Sequence, residues 1–176
     1  KGGDSYICTG TAISKYHILT AAHCVDTDGT GNVMDVNDPA TGDDMNVIFN
    51  HSATFADAHW GVADITMHPD YAGFNICPDG SGGCLSDDIA IIKLNQPVPN
   101  DVEIYEFYNQ QVWDTLNLSN HFGTPTDGDV FTMVGYGTRG DGDNGYTAGP
   151  DFGSKLVGAN VVDALSQRLM IKQAYK

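Results

Sequence analysis

Two short runs carry the residue types that could do acid–base chemistry. The first is Leu19-Thr20-Ala21-Ala22-His23-Cys24, where an imidazole stands beside a cysteine at the end of a short apolar run. The second is Asp87-Asp88-Ile89-Ala90-Ile91-Ile92, where carboxylates open a strongly apolar run. An imidazole held by its scaffold is what a general base requires. A carboxylate at the start of a strand can sit partly buried and accept a hydrogen bond from one ring nitrogen. That bond selects the tautomer and stabilises the imidazolium formed on proton transfer. The expectation is that folding brings His23 against this carboxylate, beneath a cleft open to substrate. The other histidines (His17, His51, His59, His68 and His121) show no H-E-x-x-H spacing, so a zinc peptidase is not indicated.

Four cysteines, Cys8, Cys24, Cys77 and Cys84, include no C-x-x-C pair, which weakens zinc-ribbon and thioredoxin readings. An even count in an acidic, glycine-rich chain favours two disulfides and an oxidising compartment. Four cysteines allow three pairings, and the residues alone do not choose among them.

The elements that must position these groups read as strands. Tyr6 to Ile13 and His17 to Ala22 form a hairpin around Ser14-Lys15-Tyr16, followed by a short helical turn at His23-Cys24-Val25. Asp26 to Asp44 is a polar loop. Met45 to Phe49 and Gly61 to Met67 are further strands, and His68-Pro69-Asp70-Tyr71 is a turn. Ile89 to Leu94 has the continuous apolar character of a buried strand. Val130 to Tyr136 is another strand, and only Ala164 to Tyr175 has a helical period. Many short strands with Gly-rich turns argue for an all-β barrel or sandwich. A boundary between two sub-structures is expected between Pro97 and Pro125.

The bulk properties exclude several roles. With 23 acidic and 8 basic residues the net charge is −15, which repels phosphate backbones and anionic lipid. Neither nucleic acid nor membrane is therefore an expected partner. A mean hydropathy of −0.23 and the lack of a long apolar run exclude a membrane-spanning helix.

Taken in order, the motifs resemble the chymotrypsin/trypsin-like serine peptidases. Cys8-Thr9-Gly10-Thr11-Ala12-Ile13 and Leu19-Thr20-Ala21-Ala22-His23-Cys24 look like the segments around that family's catalytic histidine. Asp88-Ile89-Ala90-Ile91-Ile92-Lys93-Leu94 looks like its catalytic-aspartate strand, and Gly135-Tyr136-Gly137 is similar to the run that opens its second barrel. The resemblance implies a disulfide between Cys8 and Cys24, with His23 as general base and then general acid. It assigns Asp88 as the orienting carboxylate in preference to Asp87, because the family places the aspartate directly before the first apolar residue of the strand. It implies two six-stranded antiparallel barrels. The first would occupy residues 1–115, and the second would begin within 116–176 and be incomplete. It further implies a secreted endopeptidase acting on protein or peptide substrates, with no required cofactor and at most a structural calcium.

The nucleophile departs from the pattern. The family's Gly-Asp-Ser-Gly-Gly motif does not occur after Gly137, and Ser154 and Ser166 lack the glycines whose amides build an oxyanion hole. Ser5, in Gly3-Asp4-Ser5, precedes the histidine, and Ser81 lies in a Gly-rich run before Asp88. The expectation is a serine on a further C-terminal part or a companion chain. The competing expectation is an inactive homologue that binds protein. Asp26-Thr27-Asp28-Gly29-Thr30-Gly31-Asn32 and Asp141-Gly142-Asp143-Asn144-Gly145 alternate oxygen donors as calcium loops do, but lack the later bidentate glutamate. Solvated acidic loops are the expectation for both.

Overall fold

The computed structural model describes residues 7–26, 28–36, 45–49, 59–74, 81–82, 87–106, 130–137, 139–141, 143–148 and 155–161. The cysteines at 77 and 84 and the helical period at 164–175 lie outside these residues. The chain divides into two compact units, Lys1–Phe107 with Gly135–Lys155, and Tyr108–Val134 with Leu156–Lys176.

The first unit is built on five antiparallel strands: β1 (Thr11–Ala12), β2 (His17–Thr20), β3 (Asn46–Ile48), β4 (His59–Met67) and β5 (Ala90–Leu94). Their order in the sheet is β1-β2-β5-β4-β3. β1 and β2 form the expected hairpin, closed by the Ile13 amide on the His17 carbonyl at 2.9 Å. β1 is shorter than its apolar run, because Thr9 is used elsewhere. Its carbonyl accepts the Thr20 hydroxyl at 3.0 Å and its own hydroxyl accepts the Tyr136 amide at 3.1 Å. After β2 the chain turns through a single 3-10 turn, Ala22–Cys24.

β5 is the central strand, with Ile18 opposite Ile92 on one side and Ile65 opposite Ile92 on the other. Its residues alternate: Ala90, Ile92 and Leu94 are buried, and Ile91 and Lys93 are exposed. The apolar run suggested a strand buried on both faces. Strand geometry sends successive side chains to opposite faces, so Ile91 turns away from the core with Lys93. The core face packs Ala12, Ile18, Ala22, Val25, Tyr71 and Val98 against β5. Phe49 and Trp60 meet edge to face at 5.2 Å beside it, and the Trp60 indole N–H donates to the Pro97 carbonyl at 2.8 Å.

Three further strands were not evident in the sequence beyond the expected β6 (Val130–Gly135). They are β7 (Arg139–Asp141), β8 (Gly145–Ala148) and β9 (Leu156–Val161). β7 and β8 form an antiparallel hairpin, and β6 pairs with β9. The stretch from Asp141 to Gly145 is the turn of that hairpin, with Gly145 at φ 63°. A positive φ is readily available only to glycine and a few polar residues, which accounts for the glycine at position 145. Among the described residues the fold is strands with one 3-10 turn. No described helix is long and apolar enough to cross a membrane.

Candidate active site

His23 sits in the middle of the 3-10 turn, directly after the strand that pairs with β5. Cys24, the next residue, is bonded to Cys8 across a separation of 16 residues, with 6.0 Å between the Cα atoms. The bond ties the far end of the turn to the segment leading into β1. His23 is thus held between a paired strand and a covalent crosslink.

Asp88 stands two residues before β5, so the register of β2 against β5 brings it to the turn. Its Oδ2 lies 2.7 Å from His23 Nδ1, and its Oδ1 accepts the His23 backbone N–H at 2.8 Å. One carboxylate therefore grips both the ring and the main chain of the same residue. Such a grip fixes ring orientation and requires the proton on Nδ1, leaving Nε2 as the basic nitrogen. Nε2 is 3.6 Å from Cys24 Sγ, a disulfide sulfur with no proton to donate, so its lone pair stays free. The Phe74 ring meets the imidazole edge-on at 5.2 Å. The His23 side chain is 40% exposed and that of Asp88 21%, so the ring faces solvent while the carboxylate is half-buried.

Asp87, the competing aspartate, points elsewhere. Its backbone takes a left-handed φ of 61°, and its Oδ1 lies 3.7 Å from His68 Nδ1. The change of hand between 87 and 88 separates the two carboxylates.

The chain after Cys24 folds back on Asp26. Asp26 is buried, and its two oxygens accept the amides of Thr30 at 3.2 Å and Gly31 at 2.8 Å. The loop expected to be solvated is instead folded on a buried carboxylate, whose oxygens serve the loop's own amides. Hydrogen bonds from the Thr30 hydroxyl and amide hold the exposed Asp28 carboxyl below the usual carboxylate range. Gly31, at φ 83°, is where the loop meets the chain near Tyr71: a Cβ there would lie 2.8 Å from the Ala72 carbonyl carbon. Tyr71 itself is buried, and its hydroxyl lies by the Asp26 carboxylate without a well-aligned hydrogen bond. Burial, with the charges of Asp26 and Asp88 nearby, pushes its phenol up to about 12. Sequence reasoning passed over Tyr71 and Phe74, and their only signal was an aromatic residue on either side of Ala72-Gly73.

Ser81 is among the described residues and is exposed. Ser5, Ser154 and Ser166, and the cysteines at 77 and 84, lie outside them.

Known proteins share this pattern. The trypsin family model matches residues 1–150. A venom serine protease of Polistes dominula is 28% identical over 136 residues, covering 74% of this chain and 39% of that protein. A trypsin of Tyrophagus putrescentiae is 31% identical over 139 residues, covering 79% of this chain and 39% of that protein. The chain thus spans about two-fifths of the length of these relatives. With a match over most of its residues, this chain belongs to the trypsin family.

Proposed function

We propose that this chain carries the acid–base part of the active site of an extracellular serine endopeptidase. The observation that carries the reading is the two-point hold of the Asp88 carboxylate on the ring and amide of His23. In this reading a serine on a part of the protein outside these residues attacks the peptide carbonyl. His23 Nε2 takes the hydroxyl proton as the acyl-enzyme precursor forms, then passes it to the leaving amine. In the second half-reaction the same nitrogen deprotonates the water that attacks the acyl group, then gives that proton to the serine oxygen as the acid product leaves. Asp88 keeps the proton on Nδ1 and stabilises the imidazolium present in each tetrahedral step.

Residues 1–115 are assigned to a first six-stranded barrel and 116–176 to the linker and beginning of a second. The nucleophile, oxyanion hole and specificity pocket would belong to that second barrel or to a companion chain. The disulfide and the relatives' printed names, a venom serine protease and a trypsin, support extracellular placement and protein substrates. The chemistry calls for no cofactor.

A fluorophosphonate label on the whole protein tests the reading. Labelling of a single serine, and its loss together with peptide hydrolysis in His23→Ala, is the expected result. The competing reading is an inactive homologue that binds protein, and the intact His23–Asp88 pair argues against it. That reading holds if the complete gene product takes no label.

A further inference from the structure

We propose that Thr9 is a positioning residue for the acid–base pair, setting where His23 stands relative to the Gly135-Tyr136-Gly137 run. The proposal rests on the peptidase reading, in which that run leads toward the part of the protein that carries the serine.

The local chemistry begins with a closed ring of chain around His23. Cys8 is bonded to Cys24, the residue after His23. The Thr20 hydroxyl, from the end of β2, donates to the Thr9 carbonyl at 3.0 Å. The segment from Thr20 to Cys24, the disulfide and the Cys8–Thr9 link therefore close on one another. The main chain of Thr9 belongs to the frame that carries the imidazole. Its side chain serves a different segment, since Thr9 Oγ1 accepts the Tyr136 backbone N–H at 3.1 Å. Gly135 makes that approach close: a Cβ there would lie 3.1 Å from Thr9 Oγ1 and 3.7 Å from Thr9 Cγ2. Residues 9 and 135–137 lie in the same compact unit. Thr9 thus couples the frame of His23 to a residue 127 positions further along the chain.

Asp88 and Thr9 fix different things. Asp88 holds the ring's tautomer and orientation through its two bonds to His23. That hold does not set the distance from Nε2 to a group on another part of the protein. Proton transfer needs about 2.6–3.2 Å between heavy atoms, and a misplacement of about 1 Å can cost about 10²-fold in rate. Threonine suits the task because its β-branch stiffens χ1 and so presents the hydroxyl in one direction. Valine keeps the shape and removes the acceptor, whereas serine keeps the acceptor. Thr9 is exposed, so water can take the Tyr136 amide in Thr9→Val and the fold survives.

The test is steady-state peptide hydrolysis together with the rate of fluorophosphonate labelling, both on the whole protein. Thr9→Val is expected to lose about tenfold in kcat and in labelling rate, with KM within about twofold of the wild type. Thr9→Ser should recover most of that loss. The acid limb of the kcat/KM profile should not move, because the Asp88–His23 pair is intact. Gly135→Ala presses on the same hydroxyl from the other side and should show the same split between kcat and KM. Combining it with Thr9→Val should cost less than the product of the two single losses, since both variants disturb one contact. A Thr9→Val protein that hydrolyses and labels as the wild type does overturns the proposal and leaves the peptidase reading standing. So does a loss that falls on KM, that shifts the acid limb, or that Thr9→Ser fails to restore. A wild type that takes no label defeats the peptidase reading, and the role of Thr9 falls with it.

Discussion

Asp87 and Asp88 are neighbours in sequence, yet each faces a different histidine, and the two pairs are built differently. Asp88 meets His23 at 2.7 Å and also takes its backbone N–H at 2.8 Å. Asp87 stands 3.7 Å from His68, whose Nδ1 is already engaged by the Asp70 amide. The first arrangement is a charge-assisted hydrogen bond that dictates where the proton sits. The second is beyond hydrogen-bond reach and dictates nothing about where the proton sits. The difference comes from one backbone angle, the left-handed φ of 61° at Asp87, which turns consecutive carboxylates to separate partners. A shared residue type and a shared location do not make two aspartates equivalent. The second hydrogen bond and the distance decide their chemistry.

The strongest way to break this comparison is to neutralise each aspartate in turn in the whole protein. Asp88→Asn presents an amide where the carboxylate accepted the Nδ1 proton, so the ring adopts the wrong tautomer. Peptide hydrolysis should fall by roughly 10⁴-fold in kcat, the size of loss such a tautomer error produces in a Ser-His-Asp triad. Asp87→Asn should lose at least a hundredfold less. Steady-state kinetics on the two variants decide the matter, and equal losses would show that the two carboxylates act as one unit.

A smaller effect probes why the His23 pair is the tighter one. Among the described residues, it is His23 that is flanked by a crosslink, the Cys8–Cys24 bond. Replacing both cysteines by serine releases a loop of about 16 residues, worth about 3 kcal/mol of stability in the chain-entropy account. Denaturant unfolding of the double variant should show that loss. Hydrolysis should fall with it, because the turn holding His23 is loosened while the β4 turn holding His68 keeps all its backbone bonds. A variant that unfolds as the wild type does would show that strand pairing alone orients His23.

The comparison also marks what the sequence could and could not convey. The β1–β2 hairpin, the turn at His23, β4 and β5 were legible because apolar periodicity and turn residues act locally. The meeting of His23 with Asp88, 65 residues apart, was not legible from either run alone. It became an expectation only through the order and spacing of several motifs together. β7 and β8 were missed because they are only three and four residues long and each includes a poor strand former, Gly140 and Asp141 in one and Gly145 in the other, so pairing and not propensity holds them. β9 was missed for a similar reason, since Gly158 interrupts its apolar pattern. Asp26 looked like a solvated loop residue because a buried carboxylate is rare without partners. Its partners are backbone amides, which leave no trace in residue types. The left-handed turn at Asp87 is equally silent, since aspartate adopts that conformation without a glycine to announce it.

The smallest effect concerns Tyr71, a buried phenol that feels the Asp88 charge. The Tyr71 hydroxyl is buried beside Asp26, and burial first, then the charges of Asp26 and Asp88 and the contact with Asp26, raise its phenol to about 12. An unfolded tyrosine ionises near 10. A raised value in the folded state means that the fold holds the proton more tightly than the unfolded chain does. The resulting stability is complete below pH 10 and drains away as the pH climbs from about 10 toward about 12. Thermal unfolding across that interval should therefore fall more steeply for the wild type than for Tyr71→Phe, which has no phenol to ionise. Below pH 10 the phenylalanine variant should lie within about 1 kcal/mol of the wild type, because the hydroxyl it removes is buried with only a poorly aligned contact to Asp26. Identical alkaline slopes would mean that the Tyr71 phenol is reached by water, and that Asp88 is screened from the core beneath it.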